Sequence, residues 1–274
     1  MKRTKFGAVV TLATAALMLL PAAASGWAPA GTAPVHPGVQ TFTAGAQCTS
    51  NFVFQKGTTV FLGQAAHCSG TGEATETDGC TSASLPLGTP VEVDGASRPG
   101  TLAYNSWLTM QAIGESNPDA CAYNDFALIR LDSGDVGRVN PSVPGFGGPT
   151  RLGSVSGLGS TVYSYGNSSL RAGITKLSPK QGVVVQSEGN GWSHNVVTLT
   201  PGVPGDSGSG FLNGSGEAFG TLSTLQIAPL AGSNGVGDLQ RELAYARAHG
   251  FPGLQLVPGT EPFKPNLVGA ILGS

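Results

Sequence analysis

Gly205-Asp206-Ser207-Gly208-Ser209-Gly210 is the stretch on which the reading of this chain turns. Three glycines in six residues let the backbone take conformations that a side chain forbids. The segment therefore reads as a tight turn, with the hydroxyl of Ser207 set between an acid and a glycine. Asn195-Val196-Val197-Thr198-Leu199 precedes it and Gly220-Thr221-Leu222-Ser223-Thr224-Leu225 follows it. Both runs are β-branched or apolar and bounded by turn residues, so each is expected to be a short strand.

The same texture extends outward. Asn51-Phe52-Val53-Phe54, Thr58-Thr59-Val60-Phe61-Leu62, Pro90-Val91-Glu92-Val93 and Phe126-Ala127-Leu128-Ile129 are short runs with Gly, Pro, Asn or Asp around them. Thr161-Val162-Tyr163-Ser164-Tyr165 and Gly182-Val183-Val184-Val185 continue the series. Many short strands so punctuated predict an all-β sandwich or barrel. The 274 residues include 42 Gly and 19 Pro, over a fifth of the chain, and only 11% are charged. An average soluble domain is about 25% charged. This composition excludes a helical bundle, and the absence of a three-residue glycine period excludes collagen. A hydrophobic share of 40% with a net charge of −2 excludes a disordered chain. Fourteen Lys+Arg against sixteen Asp+Glu give no basic excess, so no nucleic-acid partner is expected. One helix is predicted from Asp238, a capping residue, to His249, with Leu239 and Leu243 on one face and Gly250 as its stop.

The amino terminus begins Met1-Lys2-Arg3-Thr4-Lys5, continues with an apolar run from Phe6 to Leu20, and reaches Pro21-Ala22-Ala23-Ala24-Ser25. A basic start, an apolar middle and small residues at the end are the layout of a secretory signal. Residues 1–24 are read as that signal, with the cut after Ala24. A run of about 15 residues is shorter than the roughly 20 needed to cross a bilayer. Once the signal is removed, no membrane association is expected. Residues 25–40 are rich in Pro, Gly and Ala and read as a linker or short pro-segment. Four cysteines remain: Cys48, Cys68, Cys80 and Cys121. An even count in an exported chain suggests two disulfides. Three pairings are open, and the spacings favour neighbours, Cys48 with Cys68 and Cys80 with Cys121. No clustered Cys or His spacing suits a metal, so none is expected.

Two further stretches carry chemistry: Gln64-Ala65-Ala66-His67-Cys68 and Asn124-Asp125-Phe126-Ala127-Leu128-Ile129-Arg130-Leu131. With the serine turn they supply an imidazole, a carboxylate beside an apolar strand, and a hydroxyl. A serine hydroxyl is a weak nucleophile near neutral pH and needs a base to take its proton. Imidazole can be that base, because its ordinary pKa lies near 6.5. A buried carboxylate fixes the tautomer of the ring and stabilises the imidazolium.

Ala65-Ala66-His67-Cys68, Asn124-Asp125 and Gly205-Asp206-Ser207-Gly208-Ser209-Gly210 closely resemble the three active-site motifs of chymotrypsin/trypsin-like serine proteases, in the same chain order. The resemblance spans residues 41 to 249. It implies two antiparallel six-stranded barrels with a C-terminal helix, and a protease domain over 41–250. It implies that His67 is the general base, Asp125 its orienting partner and Ser207 the nucleophile. It places the oxyanion hole at the N–H groups of Gly205 and Ser207, and it pairs Cys48 with Cys68 beside the histidine. The implied product is a secreted, monomeric endopeptidase that acts on protein or peptide substrates without a cofactor.

The departures are specific. No Ile-Val-Gly-Gly-like segment stands ahead of the first strand, which leaves the partner of Asp206 open. The family's cysteine pair at the specificity pocket is absent. Six residues before the serine, where trypsin-like members carry an acid, stands Pro201, so cleavage after Lys or Arg is not expected. Ser223, Thr224 and Leu225 are read as the pocket wall, with Leu225 making the pocket shallow. His194 reads either as a pocket residue or as a solvent-exposed one. Two rival functions remain in view. One is an inactive protease-like binding protein. The other is an α/β-type esterase, which is disfavoured because position 209 is Ser where its elbow needs Gly. Residues 251–274 form a tail with no clear periodicity.

Overall fold

The computed structural model describes residues 1, 26–73, 76–155, 157–225 and 232–273. The expected signal, apart from Met1, lies outside the described residues. The chain builds two β units side by side. The first contains β1 (Gln40–Thr43), β2 (Ala46–Thr49), β3 (Val53–Lys56), β4 (Thr59–Gln64), β5 (Pro90–Val93), β6 (Gly100–Asn105) and β7 (Ala127–Arg130). Helices α1 (Ser106–Ile113) and α2 (Pro118–Tyr123) lie between β6 and β7. The second contains β8 (Thr161–Tyr165), β9 (Pro179–Glu188), β10 (Ser193–Thr198), β11 (Gly210–Asn213), β12 (Ala218–Leu225) and β13 (Asn234–Asp238). Helix α3 (Leu239–Ala248), the two-residue β14 (Gln255–Leu256) and helix α4 (Leu267–Leu272) complete the chain.

The second unit is a closed six-stranded barrel in the order β10-β13-β12-β11-β8-β9. The first corrects the expectation of two closed barrels: it is an open eight-stranded sheet, β14-β3-β4-β7-β6-β5-β1-β2. The reason lies in residues 46–56. Their first part, β2, pairs with β1, and across Gly38 and Val39 the bonding continues through Ser50. At Asn51 the chain changes partner: its N–H and the carbonyl of Phe52 bond to Gly63 of β4. The outer edge of β3 is then taken by β14 from the tail. The hydrogen bonds wrap around the unit without closing into a ring. The chain is mostly β rather than all-β, because α1, α2 and α4 accompany the expected helix.

That helix, α3, starts where Asp238 accepts the N–H of Arg241 at 3.0 Å, as an N-cap residue should. Its inner face carries Leu239, Leu243 and Ala246, all fully buried. These join Phe54, Phe126, Leu128, Phe146, Tyr163, Leu212 and Leu254 in one apolar cluster that draws on both β units. Burying one such side chain stabilises the fold by about 1.5–3 kcal/mol. Residues 26–39 lie against the first unit, with Val35 and Val39 buried and Val35 bridged to Val139. Leu254 and Val257 of the tail are buried as well. No helix among the described residues is long and apolar enough to cross a membrane.

Candidate active site

His67 stands on a single 3-10 turn, Ala66–Ser69, that ends β4. The turn is clamped from below by Asn105, whose Nδ2 donates to Ala66 C=O at 3.0 Å and to Ser69 Oγ at 2.9 Å. A disulfide from Cys68 to Cys48 ties it to β2, and a second joins Cys80 to Cys121. Asp125 precedes β7. Ser106, at the start of α1, holds both of its neighbours: the hydroxyl donates to Asn124 C=O at 2.7 Å and accepts Phe126 N–H at 3.0 Å. The carboxylate is thus presented by a fixed backbone, 4% exposed.

Three donors meet that carboxylate. His67 N–H reaches Oδ1 at 2.8 Å, while His67 Nδ1 and Ser223 Oγ each reach Oδ2 at 2.6 Å. Burial alone would raise the Asp125 pKa, but the His67 charge and these hydrogen bonds outweigh it and hold the group below its ordinary value. Burial likewise works to lower His67, and the Asp125 charge and hydrogen bond reverse it, so its pKa lies above 6.5. With Nδ1 committed to Asp125, Nε2 is the ring nitrogen left for the cavity of about 650 Å³ that His67 shares with Ser207. Ser207 Oγ makes no hydrogen bond to the ring among the described residues; such contacts are often loose before substrate arrives.

The serine turn is held from two sides. From the first unit, Gln47 Nε2 and Thr49 Oγ1 donate to Gly205 C=O at 2.9 and 2.7 Å, and Thr49 N–H donates to Ser207 C=O at 2.8 Å. Cys48, between them, holds the histidine turn through its disulfide, so β2 fixes both halves of the site. From the second unit, Asp206 is fully buried against two cations. Its Oδ2 lies 2.6 Å from Arg171 Nη2 and 3.0 Å from Lys180 Nζ. Ser168 N–H and Val203 N–H complete its shell. This answers the open question of its partner. Burial lowers the Lys180 pKa, Asp206 opposes that, and Arg171 adds to it; the net shift is downward.

Gly205 has φ +93°, and a Cβ there would lie 2.2 Å from Gln47 Oε1, so only glycine fits. The N–H groups of Asp206, Gly208 and Ser209 all bond to carbonyls within the protein. Those of Gly205 and Ser207 have no acceptor among the described residues. Two spare backbone donors flanking a hydroxyl in a cavity can bind a negatively charged oxygen.

The remaining sequence-derived residues are distributed unevenly. Ser223, Thr224 and Leu225 line the cavity with Ser207, and Ser223 also bonds to Asp125. Pro201 is exposed and is not among the cavity's lining residues; its carbonyl accepts from Arg171 and Lys180. His194 neither lines the cavity nor faces solvent. It is 6% exposed, with Nδ1 on Ser187 Oγ at 2.9 Å and Nε2 on Asp238 at 3.1 Å. Arg171, Lys180, Asn105 and Ser106 escape sequence reading. Lys180 stands between Pro179 and Gln181, and no local pattern marks it.

No protein-family model matches the sequence, and no curated protein matches it. Among solved structures, the fold is similar to that of Thermobifida fusca Protease A, at 21% identity and a TM-score of 0.53. The similarity covers 82% of this chain and 99% of that one. Cellulomonas bogoriensis chymotrypsin is 18% identical with a TM-score of 0.49, covering 81% of this chain and 98% of that one. Nocardiopsis protease is 17% identical with a TM-score of 0.49, again covering 81% and 98%. The chain has the chymotrypsin-like fold of bacterial serine proteases.

Proposed function

We propose that the chain is a secreted serine endopeptidase that cleaves peptide bonds through an acyl-enzyme, with His67, Asp125 and Ser207 as its catalytic residues. The observation that carries this reading is the 2.6 Å hydrogen bond between His67 Nδ1 and buried Asp125, at a cavity that His67 shares with Ser207. His67 Nε2 takes the proton of Ser207 Oγ as the oxygen attacks the substrate carbonyl. The charge that develops on the carbonyl oxygen is met by the N–H groups of Gly205 and Ser207; losing one such donor typically costs about 2.7–4 kcal/mol of barrier lowering. The imidazolium, stabilised by Asp125, returns its proton to the leaving amine. Water then attacks the acyl-enzyme with the same base, releasing the acid and restoring Ser207.

Secretion is supported by the amino-terminal signal pattern and by two disulfides, which persist in oxidising compartments. Reaction with a fluorophosphonate, located by peptide mass mapping, tests the assignment. The adduct is expected on Ser207 and absent from Ser207→Ala. A chain that folds but takes up no reagent at Ser207 is the inactive, binding-type relative instead.

A further inference from the structure

Glu242 of α3 is fully buried and does not line the cavity of Ser207. Its carboxyl stands between two elements that shape the site. Oε2 accepts the hydroxyl of Thr221 at 2.9 Å, and Thr221 lies two residues before Ser223 on β12. The backbone N–H of Asp125 faces the same carboxyl and has no other acceptor among the described residues. Strand β13 passes close by. A Cβ at Gly237 would lie 2.3 Å from Glu242 Oε1, so the carboxyl fills the space that a side chain there would need. Glu242 thus meets both the backbone that presents Asp125 and the strand whose Ser223 donates to Asp125 Oδ2 at 2.6 Å.

We propose that Glu242 is a positioning residue of the endopeptidase: by holding β12 and the backbone of Asp125 to α3, it keeps the Asp125 carboxylate aligned on His67 Nδ1. The inference rests on the endopeptidase reading and adds a residue to it. Burying a carboxyl is costly unless hydrogen bonds offset the loss of water, and the groups that do so here both belong to the support of Asp125. The surrounding charges decide the form the carboxyl takes. Asp125 and Asp238 act on it from two other elements, and each already holds an imidazole, His67 and His194. Tyr104 of β6 lies within its electrostatic reach. Arg241, its neighbour on α3, turns its guanidinium to the carbonyls of Asn190 and Gly191. None of these groups offers Glu242 a free cation. Burial raises its pKa, the Thr221 bond works against that, and Asp125 and Asp238 raise it further. The group therefore keeps its proton well above the usual carboxylate range, and an uncharged acid stands beside Asp125 without repelling it.

The test measures kcat, KM and the acid limb of the rate for wild type, Glu242→Ala, Glu242→Gln and Thr221→Val. The substrate is the peptide p-nitroanilide that wild type cleaves fastest, and rates are expressed per Ser207 titrated to completion with a fluorophosphonate. Glu242→Ala is expected to lower kcat by about tenfold to a hundredfold, the scale of a small misplacement at a catalytic group, with KM changed far less. Its acid limb should move to lower pH, because Asp125 is what holds the His67 pKa above 6.5. Glu242→Gln retains an acceptor for Thr221 and should keep most of kcat and the acid limb of wild type. Thr221→Val keeps the shape of the side chain without its hydroxyl and should lower kcat in the same direction as Glu242→Ala, by less. Counting titrated sites removes the unfolded fraction, so a glutamate that only stabilises the fold would leave kcat per site and the acid limb unchanged in every variant. That result overturns the proposal, as does a Glu242→Gln that loses as much as Glu242→Ala. If Glu242→Ala yields no folded protein, Thr221→Val decides, and an unchanged kcat per site overturns the proposal. Wild type that labels at Ser207 and cleaves, with variants that match it, fails here alone. Wild type that does not label overturns the endopeptidase reading as well.

Discussion

Lys180 Nζ lies 3.0 Å from Asp206 Oδ2, and neither side chain is exposed to solvent. The residue before Ser207 is therefore anchored by a strand of the closed barrel, with Arg171 on the same oxygen. Asp206→Ala would leave two cations beside a site built for an anion. Breaking a buried pair from one side costs about 3–5 kcal/mol. Urea denaturation should show a loss of that size, and a loss below about 1 kcal/mol would contradict the anchoring role.

Because Asp206 is satisfied by side chains, the α-amino group is not needed to shape the turn. Selective acetylation of the amino terminus of the purified protein is expected to leave kcat/KM unchanged. A large loss, with the lysines unmodified, would mean that the terminus reaches the turn after all.

The acid limb of activity follows from His67. The proposed reaction needs the ring neutral, and Asp125 holds its pKa above 6.5 against the effect of burial. The rate should therefore fall as pH drops, with its midpoint above 6.5 in kcat/KM. Ser223→Ala removes one hydrogen bond from the Asp125 carboxylate, and bonds to charged groups contribute about 1.5–3 kcal/mol. It should raise the Asp125 pKa and lower kcat more than it changes KM. An acid limb below 6 in the wild type would contradict the His67–Asp125 coupling.

Glu242 of α3 is fully buried, and its Oε2 accepts from Thr221 Oγ1 at 2.9 Å. Burial, opposed by that hydrogen bond and reinforced by nearby Asp125 and Asp238, raises its pKa well above the ordinary 4.5. A raised folded pKa gives stability that is full below the unfolded value and is lost as pH rises toward the folded one. Glu242→Gln keeps the shape without the titration. Its stability relative to wild type should increase from pH 4 to pH 7, and a difference constant with pH would show that the carboxyl ionises freely in the fold.

Removing the Cys48–Cys68 bridge, which closes a separation of 20 residues, should cost roughly 3 kcal/mol. Since Gln47 and Thr49 hold the serine turn from the same strand, Cys48→Ala with Cys68→Ala should also lower kcat in the fraction that remains folded. An unchanged kcat would separate the bridge from the site.

Much of this arrangement is legible in the sequence, and the residues show where legibility ends. The short β-branched runs lie in strands, and Asp238 caps α3, because such signals are local. His67, Asp125 and Ser207 are visible because each sits in a short, distinctive motif. Lys180 and Arg171 are not, since their meaning depends on a partner 26 and 35 residues away rather than on neighbours. The open first sheet depends on where the tail comes to rest, and β14 is only two residues long.

In the proposed function Ser207 attacks peptide bonds with His67 as its base. Its most direct test is the initial rate of new amino termini released from an unfolded protein by wild type and by Ser207→Ala, at equal folded concentration above pH 7. Measurable cleavage by wild type and a fall of about 10⁴-fold or more in the variant are expected. Equal rates, or no cleavage by a wild type whose Ser207 labels, would contradict it.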